Sequence, residues 1–73
     1  MKGEKAIKRM FKDFECFHYE IICEYAHRFE LINKRYGYIT ATYVIYDDGN
    51  KQAQAVKNVL VEMYEDTRRK ANE

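Results

Sequence analysis

The stretch that decides the fold is residues 7–36, which read IKRMFKDFECFHYEIICEYAHRFELINKRY. Its apolar residues recur every three or four positions, a period that places them on one side of an α-helix. They are Ile7, Met10, Phe11, Phe14, Phe17, Ile21, Ile22, Tyr25, Phe29, Ile32 and Tyr36. The spacing therefore predicts one long amphipathic helix over about residues 4–36, with an apolar arc about 140° wide.

Lys34, Arg35 and Gly37 mark the predicted end of this helix, since basic residues and a left-handed glycine are typical of helix C-termini. Residues 38–46, YITATYVIY, follow and are rich in β-branched and aromatic residues. They are interpreted either as a helix continuing past a bend at Gly37 or as a strand that pairs with another copy; an irregular loop is the third alternative. The helix is favoured because one chain can form it unaided, whereas a strand needs a partner.

The chain turns at Asp47, Asp48, Gly49 and Asn50, residue types that are typical of turns. Asp48 or Asn50 can cap a second helix over about residues 50–70, whose apolar residues again recur at helical spacing. The predicted fold class is therefore mainly α, with a helical hairpin in which the second helix runs antiparallel to the first. Residues 1–73 form a single small domain.

The two predicted helices differ in length, about 50 Å against about 30 Å at 1.5 Å per residue. A 73-residue domain is also marginal by itself, because it buries only about 60% of its unfolded surface. We therefore expect self-association, as a dimer or a higher oligomer. No apolar run approaches the ~20 residues that span a membrane, and no signal peptide is recognised, so we expect a cytoplasmic protein without a membrane partner.

The chain has seven tyrosines, a residue that offers a large contact area with a polar tip and is enriched at protein interfaces. Four of them cluster around Gly37, and another lies with a cysteine on a second, weaker apolar strip of the predicted first helix. The candidate protein-interaction residues are Tyr19, Cys23, Tyr36, Tyr38, Tyr43 and Tyr46. A core padded with tyrosine is the competing interpretation.

Charge is distributed unevenly, although the net charge is only +1. Basic residues concentrate near both ends of the chain, and a helical hairpin would bring the two ends together. The candidate nucleic-acid-binding residues are Lys5, Lys8, Arg9, Lys12, Arg68 and Arg69. A basic patch can bind phosphates, but no recognised nucleic-acid-binding motif accompanies this one.

The sequence shows no nucleophile, base and orienting group in a recognisable arrangement, so we expect no catalytic residues and no enzyme activity. Cys16, Glu20, Cys23 and His27 would form one stripe on the predicted helix, and a straight stripe within one chain cannot wrap a metal ion. No metal site or cofactor is therefore expected. The predicted function is a non-enzymatic regulatory, adaptor or inhibitor protein, of the kind that small bacterial or phage genes encode; the alternative is a small nucleic-acid-binding regulator.

Overall fold

A computed structural model describes residues 2–38 and 40–72 and shows an α+β fold with two helices and three strands. In chain order the elements are α1 Lys2–Met10, β1 Phe14–Cys23, β2 Ala26–Asn33, β3 Thr40–Tyr46 and α2 Lys51–Ala71. The strands form one antiparallel sheet in the order β1-β2-β3. Within the described residues, β1 and β3 are therefore the two edges of the sheet.

The prediction of a mainly α fold is wrong, and so is the helical hairpin. Instead of one helix over residues 4–36, the chain forms α1 and the hairpin of β1 and β2. The reason lies in two β-bulges of β1, between Cys16 and His18 and between Ile21 and Cys23. A bulge adds one residue to one strand. Side chains on the same face, which are normally two positions apart, then lie three positions apart, as they can on one side of a helix.

The turn between β1 and β2 also lacks the usual sequence signals. It consists of Glu24 and Tyr25, and neither residue has positive φ. The commonest two-residue hairpin turn needs positive φ at both positions and therefore favours Asn and Gly. Because Asn and Gly are absent here, the sequence does not indicate that the chain reverses direction at this point.

Residues 40–46 form a strand, and their partner is β2 of the same chain. The favoured helical interpretation of this segment is therefore wrong. The partner strand that could not be found in the sequence is β2, which lies within the region predicted as the first helix. Gly37 does not cap a helix but adopts a φ of 75° in the turn before β3. In that turn Asn33 Oδ1 accepts hydrogen bonds from the backbone N–H groups of Arg35 and Tyr36 at 2.9 and 3.2 Å.

The bounds of α2 fall within one residue of those expected for the second helix. Asn50 is its N-cap, and the Asn50 side chain accepts hydrogen bonds from the N–H groups of Gln52 and Ala53 at 2.9 and 3.1 Å. These bonds satisfy two of the donors that every helix start leaves unpaired.

The core lies between α2 and one face of the sheet. Phe29 and Leu31 of β2 and Leu60 of α2 are fully buried there, and Phe11 extends the same cluster beyond the end of α1. The other face of the sheet has neither helix over it and is called the open face below. Of the helices in the described part of the chain, none combines the length and apolar character needed to cross a membrane.

Candidate protein-interaction surface

The most distinctive surface of the molecule is the free edge of β3. All seven residues of this strand, Thr-Ala-Thr-Tyr-Val-Ile-Tyr, are uncharged, and none is Pro or Gly. Its pairing with β2 is regular from Thr40 to Tyr46, without a bulge. Soluble proteins usually protect an edge strand with charges, Pro or bulges, because an unprotected edge pairs with other chains. β3 has none of these protections.

The hydrogen bonds show which backbone groups of β3 point away from the sheet. The Asp47 N–H donates to the Tyr25 carbonyl at 2.7 Å, one step beyond the last paired residues of β3 and β2. Hydrogen-bonded and non-hydrogen-bonded pairs alternate in an antiparallel ladder, so the odd-numbered residues of β3 bond to β2. The N–H and C=O groups of the even-numbered residues therefore point outward. These residues are Thr40, Thr42, Val44 and Tyr46.

The side chains of the same four residues lie on the open face, since they pair with residues of β2 on that face. Val44 and Tyr46 are 40% and 59% exposed, and the ring of Tyr46 lies 6.5 Å from that of Tyr25. The middle of the open face is charged: Arg28 contacts Glu20 at 2.8 Å and Glu30 at 3.9 Å. Val44 and Tyr46 thus place exposed apolar side chains on the open face beside the free edge of β3.

Tyr36 and Tyr38 lie in the turn that leads into β3 and are 52% and 78% exposed. Their ring centroids are 6.2 Å apart, and the guanidinium of Arg35 lies 5.9 Å from the Tyr36 ring. Tyr43 lies on the side of β3 that faces the helices, where its ring meets Phe11 edge-on at 5.6 Å. It remains 39% exposed because α2 packs mainly against β1 and only lightly against β3.

The structure therefore brings together four of the six predicted interaction residues, Tyr36, Tyr38, Tyr43 and Tyr46, on β3 or in the turn before it. Tyr19 and Cys23 lie on β1, at the opposite edge. Thr40, Thr42 and Val44 are three of the four residues whose backbone groups point outward, and they were not among the predicted interaction residues. The signal that could have found them is the absence of charge over residues 38–46 in a chain that is 34% charged.

Tyr19 is half-buried and serves the core. Its ring stacks on Phe29 with centroids 4.7 Å apart and an interplanar angle of 1°, and it meets Tyr64 of α2 at 5.7 Å. Its hydroxyl and His27 Nδ1 form a hydrogen bond of 2.8 Å. Burial raises the pKa of the Tyr19 hydroxyl, and the nearby charge of Lys57 partly offsets this. Tyr19 thus anchors β1 to β2 and α2.

The edge formed by β1 differs from that formed by β3. It also exposes apolar side chains, since Phe17, Ile21 and Ile22 are 47%, 62% and 52% exposed. However, β1 carries Glu15 and Glu20 and two bulges, which are features that hinder pairing with another strand.

Some of the basic residues predicted to bind nucleic acid lie beside carboxylates. Lys8 lies 3.7 Å from Glu4 and 3.5 Å from Glu62, and Arg69 lies 3.1 Å from Asp66. A cleft of about 210 Å³ has three basic residues in its lining, Lys8, Lys12 and Lys34, and two acidic ones, Glu62 and Asp66. Carboxylates beside the basic groups weaken the attraction of these groups for phosphates. Nucleic-acid binding stays a prediction.

The stripe of Cys16, Glu20, Cys23 and His27 does not exist, because these residues lie on strands and on two faces of the sheet. Over residues 2–38 and 40–72, no group of three or more His, Cys, Asp or Glu side chains could hold a metal ion. Cys16 is fully buried, and burial raises its thiol pKa to about 11. Its thiol is therefore protonated and unreactive at neutral pH.

An ion pair joins the end of β3 to α2. Lys57 Nζ lies 2.6 Å from Asp47 Oδ2, with both side chains largely shielded from solvent. The hydrogen bond from Lys57 lowers the pKa of Asp47 below its ordinary value of 3.8, and partial burial opposes this shift. A lowered pKa means that the folded protein binds this proton less readily than the unfolded chain.

We therefore expect the pair to stabilise the fold above about pH 4 and to lose this contribution as the pH falls through the lowered pKa. The melting temperature of Asp47→Asn should accordingly fall less than that of the wild type between pH 5 and pH 2.5. Thermal melts across this range measure the difference. Parallel pH profiles for the two proteins would contradict the assignment.

Comparison with protein-family models, curated proteins and solved structures found no match for this chain.

Proposed function

We propose that the protein is a non-enzymatic interaction protein, acting as a regulator, adaptor or inhibitor, that binds an extended segment of a partner protein as a fourth strand. The segment would pair with the free edge of β3. The observation that supports this proposal is an uncharged, regular, seven-residue edge strand with one side unpaired among the described residues. Addition of a strand to an exposed sheet edge is a common mode of peptide recognition.

Affinity and selectivity would come from different parts of this edge. The outward N–H and C=O groups of the even-numbered residues of β3 would bond to any extended backbone. Selectivity would come from Val44 and Tyr46 on the open face and from Tyr43 on the other side. This surface fits a partner segment with uncharged, β-branched or aromatic side chains at the facing positions, because such cross-strand pairs are favourable.

We also propose a cytoplasmic location. Cys16 and Cys23 are both free thiols, one buried and the other exposed. Free thiols persist in a reducing compartment, whereas disulfides predominate in oxidising ones.

Val44→Lys tests the proposal, because lysine on an edge strand opposes further pairing. Ile22→Lys is the matched control, since it also replaces an exposed apolar residue with lysine but lies on the β1 edge. The partner captured from the native host by the wild type should bind Val44→Lys at least about tenfold more weakly, a loss of about 1.4 kcal/mol, and should bind Ile22→Lys normally.

Amide hydrogen exchange supplies a second, mode-specific readout. Partner binding should slow exchange at the N–H groups of Thr42, Val44 and Tyr46, which point outward in the free protein. A partner that binds Val44→Lys as tightly as the wild type, or that leaves these N–H groups unprotected, would refute strand addition at β3.

A further inference from the structure

We propose that β3 also pairs with β3 of a second copy of this chain, antiparallel about a two-fold axis at Tyr43, so that two sheets join into one of six strands. This inference goes beyond the proposed function: both rest on the free edge of β3, and here the occupant is a second copy in place of a partner segment. The unequal lengths of the two predicted helices no longer argue for a dimer, because the long first helix does not exist.

The geometry of antiparallel strands fixes the choice of register. Residues that lie directly opposite each other in two strands are on the same face of the sheet. In a symmetric pair of β3 strands they are therefore both even-numbered or both odd-numbered, and the two-fold axis passes between a residue and its own copy. The outward backbone groups belong to the four even-numbered residues of β3. With the axis at Tyr43, each of the four lies opposite another of the four in the second copy. Thr40 lies opposite Tyr46, and Thr42 lies opposite Val44. An axis at Thr42 or Val44 leaves an end of the strand unpaired.

The side chains that meet in this register are compatible. On the open face Thr42 lies opposite Val44, and Thr40 lies opposite Tyr46. Ala41 lies opposite Ile45 on the other face. No like charges face each other, and aromatic and β-branched pairs stabilise neighbouring strands. The net charge of +1 adds little repulsion between copies.

The same pairing is disfavoured at the β1 edge. An antiparallel copy of β1 would bring Glu15 and Glu20 of both chains onto one short ladder, and the two bulges interrupt the regular spacing of its backbone groups. Self-pairing therefore selects β3. One seven-residue strand pair is small beside the ~1,200 Å² of a stable interface, so we expect a dimer of the weak, transient class.

Disulfide trapping tests the register. In a Cys23→Ser background, which removes the exposed native thiol, Thr42→Cys and Val44→Cys proteins are mixed and oxidised. The register places these two positions opposite each other, about 5.5 Å apart between Cα atoms, within the range that a disulfide bridges. We expect a covalent dimer from this mixture and little from Thr40→Cys mixed with Thr42→Cys, whose positions are offset along the ladder.

The mass of the wild type, measured by light scattering from about 10 μM to 1 mM, should rise from 8.8 kDa toward twice that value. Val44→Lys should raise the dissociation constant at least about tenfold, and Ile22→Lys should leave it unchanged. A wild type that stays monomeric throughout, or equal trapping of both cysteine mixtures, would overturn the dimer.

The two proposals can fail separately. If the wild type is monomeric but Val44→Lys still loses its partner, self-pairing fails and strand addition stands. If the predicted dimer forms but Val44→Lys binds the partner normally, partner binding at β3 fails and the dimer stands.

Discussion

Replacing Phe29 with Ala should reduce the free energy of unfolding by about 3–5 kcal/mol, as large-to-small substitutions of buried aromatic residues do. Phe29 is fully buried at the centre of the middle strand, with Tyr19 stacked on it at 4.7 Å. A domain of this size is expected to have only roughly 4–11 kcal/mol in total, at about 0.05–0.15 kcal/mol per residue. Phe29→Ala should therefore be close to unfolding at room temperature.

Urea denaturation followed by far-UV circular dichroism measures this loss. Ile21→Ala is the matched control, because Ile21 lies in the neighbouring strand but is 62% exposed, so its cost should stay under about 1 kcal/mol. The predicted long helix placed both residues on one apolar stripe and implied similar costs. Equal losses at the two positions would argue against the sheet and for the helix.

Where sequence reasoning located an element correctly, a local signal was present. The turn at Asp47–Asn50 and the apolar spacing that follows it predicted α2, and Asn50 caps that helix. Residues 40–46 carried a strong β propensity but had no visible partner, and the preference for a helix rested on that missing partner. Strand pairing is non-local, so propensity within a segment cannot show which other segment completes it.

The secondary structure of residues 14–33 was predicted wrongly for a different reason. Between Cys16 and Tyr19 a bulge stretches the same-face spacing from two residues to three, and the hairpin turn at Glu24 and Tyr25 uses no glycine. Apolar periodicity separates helix from strand only when the strand alternates regularly and its turns are marked. Here neither condition holds.

The sequence predicted only part of the candidate surface. Clustering along the chain identified Tyr36, Tyr38, Tyr43 and Tyr46, because a strand and its preceding turn keep sequence neighbours together. Tyr19 was grouped with Cys23 through helical geometry that does not apply. The outward direction of the backbone groups depends on which residues of β3 bond to β2, and this register exists only in the folded sheet.

Tyr19 provides the second large expected effect. Tyr19→Ala should lower the free energy of unfolding by about 2–4 kcal/mol, through the lost contacts with Phe29 and Tyr64 and the loss of a hydrogen-bond partner for His27. Tyr19→Phe keeps the ring and should cost only about 0.5–1.5 kcal/mol, the usual contribution of one hydrogen bond. Urea denaturation of the two variants separates the ring from the hydroxyl.

The same variants decide whether Tyr19 is a core residue or an interaction residue. If it supports the fold, Tyr19→Phe should bind the partner and self-associate as the wild type does, and the binding deficit of Tyr19→Ala should equal its unfolded fraction. If Tyr19 contacts a partner directly, Tyr19→Ala should lose affinity even where circular dichroism shows it folded. We expect the first result, because the Tyr19 ring lies between Phe29 and Tyr64 at the edge opposite β3. A folded Tyr19→Ala protein that fails to bind the partner would show that Tyr19 belongs to the interaction surface and that this surface lies on β1.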